Sequence, residues 1–356
     1  MSKKHNFGAG PCILPQEVFE EASKAVVNFN GLSILEISHR SPEFVAVMDE
    51  ARELVKELLE VPEGYTVLFL QGGASLGFLI SAMNMAGATK KAGYVNTGAW
   101  STKAIKEGKN AGLTVSEIAS SEDKNFNYIP KGYGTDGFDF VHITSNNTIF
   151  GTQMKSFPAS NSPLVCDMSS DIFSRKVNVA DFDIIYAGAQ KNLGPAGTTL
   201  YIVKESILGQ SSLETIPTYL NLETHHKKDS MFNTPPVFSV YTSMLNLRHL
   251  KKNGGVAAME EKNQAKADLL YNEIDSNPLF EGTAAKEDRS NMNVTFTLTD
   301  DSLADAWNAE WNKAGIVGLK GHRSVGGYRA SMYNALELDS VKVLVNLMRD
   351  FANNNK

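Results

Sequence analysis

The sequence predicts an α/β protein, with a mainly parallel sheet flanked by helices and a small α+β domain at its C-terminal end. Three observations lead there. Short apolar runs of strand length alternate with segments of helical periodicity as far as Val203. Strands separated by helices require crossover connections, which put neighbouring strands parallel. Beyond Ser239 the pattern turns mostly helical, with a single strand-like run at 294–298.

After Pro15, Val18, Ala22, Ala25 and Phe29 share one helical face. Phe44, Met48, Ala51, Leu54 and Leu58 define a second helix, with Ser41 as N-cap and Pro42 in the first turn. The run 65–70 reads as a strand, followed by a glycine turn and a helix through Ile80 and Met83. Further buried strands are predicted at 93–96, 141–144, 164–166, 184–186 and 199–203. Two helices then span 239 to 276, broken at Asn253-Gly254-Gly255, and others cover 304–313 and 340–351. The break places a domain boundary near residue 255, giving a large domain of 16–255 and a small one of 256–356 joined by residues 1–15.

Of 356 residues, 42% are hydrophobic, enough for the core of two domains at about 100–200 residues each. The net charge of -6, with Lys and Arg dispersed, argues against a nucleic-acid partner. No window approaches the run of about 20 apolar residues that a membrane helix needs. Lys3-Lys4 has no apolar stretch behind it and meets the Gly8 to Pro11 interruption, so no secretory signal is expected and the location expected is cytoplasmic. Cys12 and Cys166, the only cysteines, lack disulfide-framework or metal-ligand spacing, so no metal is expected and both read as buried or incidental thiols.

The chemistry centres on Tyr186-Ala187-Gly188-Ala189-Gln190-Lys191-Asn192-Leu193-Gly194-Pro195, where an apolar strand delivers a lysine into a turn of small residues. Partial burial there frees the amine to form an imine with an aldehyde, and the small neighbours leave room for a flat cofactor. A surface lysine in a loop is the plainer alternative. Asp167 ends the apolar run Leu164-Val165-Cys166. Strand C-termini line the ligand crevice of an open α/β sheet, so Asp167 and Lys191 can converge, with the carboxylate paired to a protonated pyridine nitrogen. Asp167 also suits a helix N-cap or turn.

Gln71-Gly72-Gly73-Ala74-Ser75, between a strand and a helix, offers backbone N–H groups and the Ser75 hydroxyl to a phosphate. A Walker loop would end in Gly-Lys-Ser/Thr, which is absent, and a dinucleotide fingerprint would need glycine in place of Ala74. Trp100, after Val95-Asn96-Thr97-Gly98-Ala99, is either a stacking partner for a pyridine ring or an ordinary half-buried aromatic. Thr148 is placed to donate to a phenolate oxygen, although Asn-rich turns are common.

The stretch Lys320-Gly321-His322-Arg323-Ser324-Val325-Gly326-Gly327-Tyr328-Arg329 is basic and contains no acid, and reads as an anion-recognition loop. His39-Arg40 is either a second anion contact or part of a surface loop. His225-His226 lacks zinc spacing and reads as a solvated loop. Asn233-Thr234-Pro235-Pro236 presents two polar side chains to a phosphate or serves as a rigid linker.

With these pieces in place, the chain resembles the phosphoserine aminotransferases nearly end to end. The shared segments include Gly10-Pro11, Ile37-Ser38-His39-Arg40, Gln71-Gly72-Gly73, Tyr186 through Pro195, Met231 through Pro236, Asn253-Gly254-Gly255, Met292-Asn293-Val294 and Gly321-His322-Arg323. The resemblance implies a fold-type-I pyridoxal 5'-phosphate enzyme with a seven-stranded sheet, working as a homodimer with its sites at the subunit interface. It implies that Lys191 carries the cofactor as an imine, that Asp167 pairs with the pyridine nitrogen, that Trp100 stacks on the ring and that Thr148 meets the phenolate oxygen. The cofactor phosphate would be held by Ala74, Ser75 and Gln190, with Asn233 and Thr234 from the neighbouring subunit. Substrate anions would be held by His39, Arg40, His322, Arg323 and Arg329.

The implied reaction is transamination between phosphoserine with 2-oxoglutarate and 3-phosphohydroxypyruvate with glutamate in serine biosynthesis. A side activity on phosphohydroxythreonine, in vitamin B6 synthesis, occurs among relatives. Some members carry arginine where Ser75 stands or serine where Ala9 stands, and the first of these bears on how the arginines divide the substrate phosphate. Two rival readings are a cysteine desulfurase-like lyase, which needs a mobile reactive thiol, and a nucleotide-binding module using the Gly72-Gly73 turn.

Overall fold

In the computed structural model, which describes residues 4–355, the central sheet has seven strands: β1 (Tyr65–Leu70), β2 (Lys91–Asn96), β3 (Thr114–Ser120), β4 (Phe140–Thr144), β5 (Leu164–Asp167), β6 (Ile184–Gly188) and β7 (Thr199–Lys204). Their order across the sheet is β1-β7-β6-β5-β4-β2-β3. All neighbours pair parallel except β7, which is antiparallel to both β1 and β6. The 189–198 connection into β7 contains no helix, and a parallel crossover needs about a dozen residues or more, so the chain returns as a hairpin.

The strands read as apolar runs because both faces of the sheet are buried. Val67, Phe69, Val141, Ile143, Cys166, Ile185 and Ile202 point into one core, and Leu68, Phe140, Val165, Tyr186 and Tyr201 into another. The first core is closed by α1 (Gln16–Val27), α2 (Pro42–Leu58) and α6 (Val237–Lys252); the second by α3 (Gly73–Met85) and α4 (Ala99–Asn110). Strand β3 escaped the apolar-run criterion because it is an edge strand, Thr-Val-Ser-Glu-Ile-Ala-Ser, with no fully buried position.

Ser41 caps α2 by accepting from the Phe44 amide at 3.4 Å, and Pro42 opens the helix as predicted. Helix α1 stops at Val27, short of Phe29; that ring packs edge-on against Tyr241 at 5.4 Å instead. His225, expected in a solvated loop, is fully buried at the end of the short helix α5 (Leu222–His226). Its Nε2 lies 2.6 Å from the Tyr219 carbonyl, and Phe232 packs on the ring.

A third apolar cluster gathers α7 (Gly255–Ser276), α8 (Ala304–Lys313), α9 (Leu338–Asn354) and the antiparallel strands β8 (Phe280–Gly282), β9 (Asn293–Leu298) and β10 (Tyr328–Ser331). Phe7 is buried in it, and the adjoining strand His5–Asn6 pairs parallel with Ile316–Val317. No helix among the described residues is long and apolar enough to cross a membrane.

Phe44 is wholly inaccessible between α2 and the sheet. Phe44→Ala should lower stability by about 3–5 kcal/mol, read as a lower urea midpoint at unchanged slope.

Candidate active site

Because β4, β5 and β6 run parallel, their C-terminal ends lie side by side. Thr144 is in register with Asp167, and Asp167 with Tyr186, two residues before the turn that carries Lys191. That turn is fixed on several sides. Its backbone closes through Lys191 N to Ala189 O (2.6 Å) and Gly194 N to Ala189 O (2.8 Å). Asn246 donates to the Asn192 and Leu193 carbonyls at 2.8 and 2.9 Å. Cys12, far away in sequence, donates its thiol to the Lys191 carbonyl at 2.9 Å and its amide to that of Gln190 at 3.1 Å. Burial pushes the Cys12 thiol up to about 12, so it is held as a donor.

Burial lowers the pKa of the Lys191 amine, opposed first by the nearby carboxylate of Asp167, while Arg329 reinforces the lowering. Asp167 is buried, and its carboxyl is raised by desolvation against the pull of Ser169 and Lys191. The Ser169 amide donates to Asp167 Oδ1 at 2.9 Å, which fixes the carboxyl at the strand end. Behind it, Asp171 receives Gln153 at 3.1 Å and Arg175 at 3.2 Å, and contacts the Ser145 hydroxyl.

The indole of Trp100, in the first turn of α4, stands with its centroid 5.9 Å from Lys191 Nζ. Its Nε1 donates to Thr148 Oγ at 3.0 Å; a hydroxyl that accepts in this way keeps its own proton to donate. The Thr148 carbonyl in turn accepts from Arg329 at 3.0 Å. Arg329 Nε is buried with no protein partner, and burial lowers the guanidinium's pKa. A buried, unpartnered cationic donor costs stability unless an anion meets it.

Gly72 caps α3 at φ 100°, and a Cβ there would come within 2.4 Å of Leu76, so only glycine fits. No side chain caps this helix and its first turn holds no acid, which leaves the N–H groups around Ala74 and Ser75 turned to an anion. Gln190 folds back over Gly188, where a Cβ would meet its Oε1 at 2.7 Å. Asn233 donates to Gln71 Oε1 at 3.3 Å, and Tyr219 donates to the same oxygen at 3.1 Å. The Asn233-Thr234 segment therefore lies beside the Gly72-Gly73 turn.

Arg329, Arg323 and Lys103 all lower the pKa of His322, after burial, so Lys103 on α4 lies within electrostatic reach of the basic loop. Lys103 had no place in the sequence reading; its signal was the i, i+3 spacing from Trp100 on a helix. His39 is buried with an unpartnered Nε2. Among the described residues no hydrogen bond or ion pair joins His39 or Arg40 to Lys191, Asp167, Trp100 or the 322–329 loop. No group of three or more His, Cys, Asp or Glu side chains that could hold a metal occurs among the described residues.

A flat, anionic aldehyde cofactor fits these residues. An amine depressed by burial, a carboxyl at the adjacent strand end, an indole wall and an uncapped helix start each match one part of pyridoxal phosphate. Since Asp167 is the largest opposing influence on Lys191, Asp167→Asn should lower the pKa of the amine further. Mass-spectrometric labelling of Lys191 against pH, on cofactor-free protein, should show its midpoint move to lower pH; an upward move would contradict the assignment.

A family model described as Aminotransferase class-V matches residues 5–344. The phosphoserine aminotransferase of Flavobacterium psychrophilum is 60% identical over 99% of both chains. That of Parabacteroides distasonis is 55% identical over 98% of this chain and 99% of its own. Among solved structures, phosphoserine aminotransferase from Bacillus circulans subsp. alkalophilus matches with a TM-score of 0.96 at 42% identity, over 99% of both chains. One from a study of radiation damage to the Schiff base in phosphoserine aminotransferase matches at 0.95 and 45% identity, over 99% of this chain and 100% of the other. Strand-end lysine, helix-start cradle and full-length similarity agree, and the chain belongs to the class-V aminotransferases.

Proposed function

We propose that this chain is a pyridoxal-phosphate-dependent phosphoserine aminotransferase. It would exchange the amino group between phosphoserine with 2-oxoglutarate and 3-phosphohydroxypyruvate with glutamate, as in serine biosynthesis. The observation that carries the reading is the convergence of Lys191, Asp167 and Trp100 at the strand ends, with the unpartnered Arg329 Nε alongside.

When bound, the cofactor supplies a carbon that carries the amino group and a ring that delocalises electrons left at the substrate Cα. Lys191 is its attachment point and, once released, the base that takes the Cα proton and returns it to the cofactor side. Burial favours the uncharged amine that this role requires. Asp167 would hold the ring nitrogen, Trp100 the ring face and Thr148, through its remaining proton, the phenolate oxygen. Ala74, Ser75 and Gln190 would hold the phosphate. Arg329 suits the α-carboxylate, because it is held against the Thr148 carbonyl while its buried Nε has no protein partner. His322 and Arg323, with His39 and Arg40, are left for the distal anion.

His39 and Arg40 would serve the site of a second copy in a homodimer, as would Asn233 and Thr234, reaching it from beside this chain's own Gly72-Gly73 turn. In support, apolar side chains flank these segments in the open: Leu32 at 57%, Leu35 at 63% and Phe232 at 39% exposure. The same reading divides the chain into 16–255, carrying the cofactor residues, and 256–356 with 1–15, which is supported by the separate apolar cluster around Phe7 and Trp307. A cytoplasmic location belongs to this proposal, because charged phosphorylated substrates do not cross membranes unaided.

The lyase alternative lacks the mobile, reactive thiol it needs: Cys12 is engaged with the Lys191 carbonyl and Cys166 is buried in β5. Purified protein with phosphoserine and 2-oxoglutarate should form glutamate, and phosphohydroxythreonine offered separately measures any second activity. Borohydride reduction should add the cofactor mass to Lys191. Arg323→Ala should lower kcat/KM for phosphoserine about 10- to 100-fold, as for loss of a charge-assisted hydrogen bond of about 1.5–3 kcal/mol; unchanged turnover would remove the loop from the site.

A further inference from the structure

Lys103 follows Trp100 by three positions on α4 and folds back over it, its Nζ 4.4 Å from the indole centroid. The indole is bonded to Thr148, and Thr148 to Arg329, so Lys103 ends a continuous chain of contacts that begins in the basic loop. It is also close enough to His322 for its charge to act on that ring together with Arg323 and Arg329. Among the described residues none of these three cations forms an ion pair with a carboxylate. Like charges gathered without a counter-charge repel one another, and the arrangement is relieved only by an anion arriving between them.

The position of Lys103 says which anion. With the amino group at Lys191 and the α-carboxylate at Arg329, as proposed above, the substrate's far end is left to the basic loop and Lys103. Lys103 is exposed one turn along α4 from Trp100, within electrostatic reach of His322. A phosphate there carries a charge of about -1.5 to -2 and a side-chain carboxylate only about -1, so an extra cation favours the phosphate. A long, flexible ammonium also serves as a point charge with no fixed fork to satisfy.

We propose that Lys103 is a specificity-determining residue for the substrate's distal anion, acting beside His322 and Arg323 to favour a phosphate dianion over a carboxylate. This rests on the phosphoserine reading above. The test uses the holoenzyme and follows each half-reaction separately by the cofactor's absorbance, with phosphoserine and with glutamate as donor. Lys103→Gln should lower kcat/KM for phosphoserine about ten-fold and for glutamate about three-fold, and Lys103→Arg should recover most of the phosphoserine loss. Inorganic phosphate, as a competitive inhibitor against glutamate, should bind the Gln variant about ten-fold more weakly. Equal losses with both donors, or no loss with either, overturn the role of Lys103. If the unsubstituted enzyme turns over glutamate but not phosphoserine, the phosphoserine reading fails by itself. The phosphate inhibition constants then decide Lys103: weaker inhibition of the Gln variant upholds it and equal inhibition rejects it.

Discussion

Both faces of the central sheet are covered by helices, and this burial governs where chemistry can occur. Side chains from strand interiors enter one of two apolar cores, as the alternation of Ile184, Ile185 and Tyr186 shows. A charged group in either core would lose its hydration without recompense. The parallel strands release their chain at one edge, and there Asp167 and the Lys191 turn emerge from neighbouring strands. Their proximity is a property of the sheet: parallel register brings the ends of β4, β5 and β6 together whatever the intervening helices do.

Placing a lysine at a strand end leaves it mobile unless its backbone is restrained. Here the restraint comes from remote parts of the chain, Cys12 at the N-terminus and Asn246 on α6. A second polar network joins the β4 end to the C-terminal part. Asn146 bonds Ser170 and Asn293 at 2.8 Å, and Asn293 bonds Ser331 at 3.0 Å and Tyr333 at 3.3 Å. Tyr333 closes it by donating to the Ala9 carbonyl at 2.8 Å. Buried networks of this kind, with their donors engaged, hold geometry more firmly than apolar packing does. They fix the N-terminal segment, the sheet edge and β10 as one platform beneath the Trp100–Thr148–Arg329 chain.

The electrostatics follow the same division. Burial shifts the groups on the inner side toward their uncharged forms: Lys191 is lowered, Asp167 raised and Cys12 pushed up to about 12. The outer side collects positive charge at Lys103 and Arg323, beside a His322 whose pKa is lowered by burial and by those cations. Proton transfer suits the first environment and anion capture the second, and Trp100 lies near both Lys191 and Lys103.

By itself the sequence determined the element types, since burial on both faces writes each strand as an apolar run and each covering helix as a periodic stripe. It also singled out candidate chemistry-bearing segments, because imine formation, phosphate binding and anion recognition demand a lysine, glycine-rich backbone and arginines whatever the fold. The edge strand Thr114–Ser120 stayed hidden because its half-exposed face carries no apolar run. His225 misled because a polar doublet looks solvated until Tyr219 and Phe232 are seen to enclose it. Only the tertiary structure decided that Cys12 touches the Lys191 carbonyl, that Arg329 leans on Thr148 and that Lys103 covers Trp100. The first two join residues more than 170 positions apart (|i−j| of 179 and 181), and such contacts depend on sheet order and register, which no local pattern encodes. The third was within reach of helical spacing, but its meaning depended on where the basic loop came to rest.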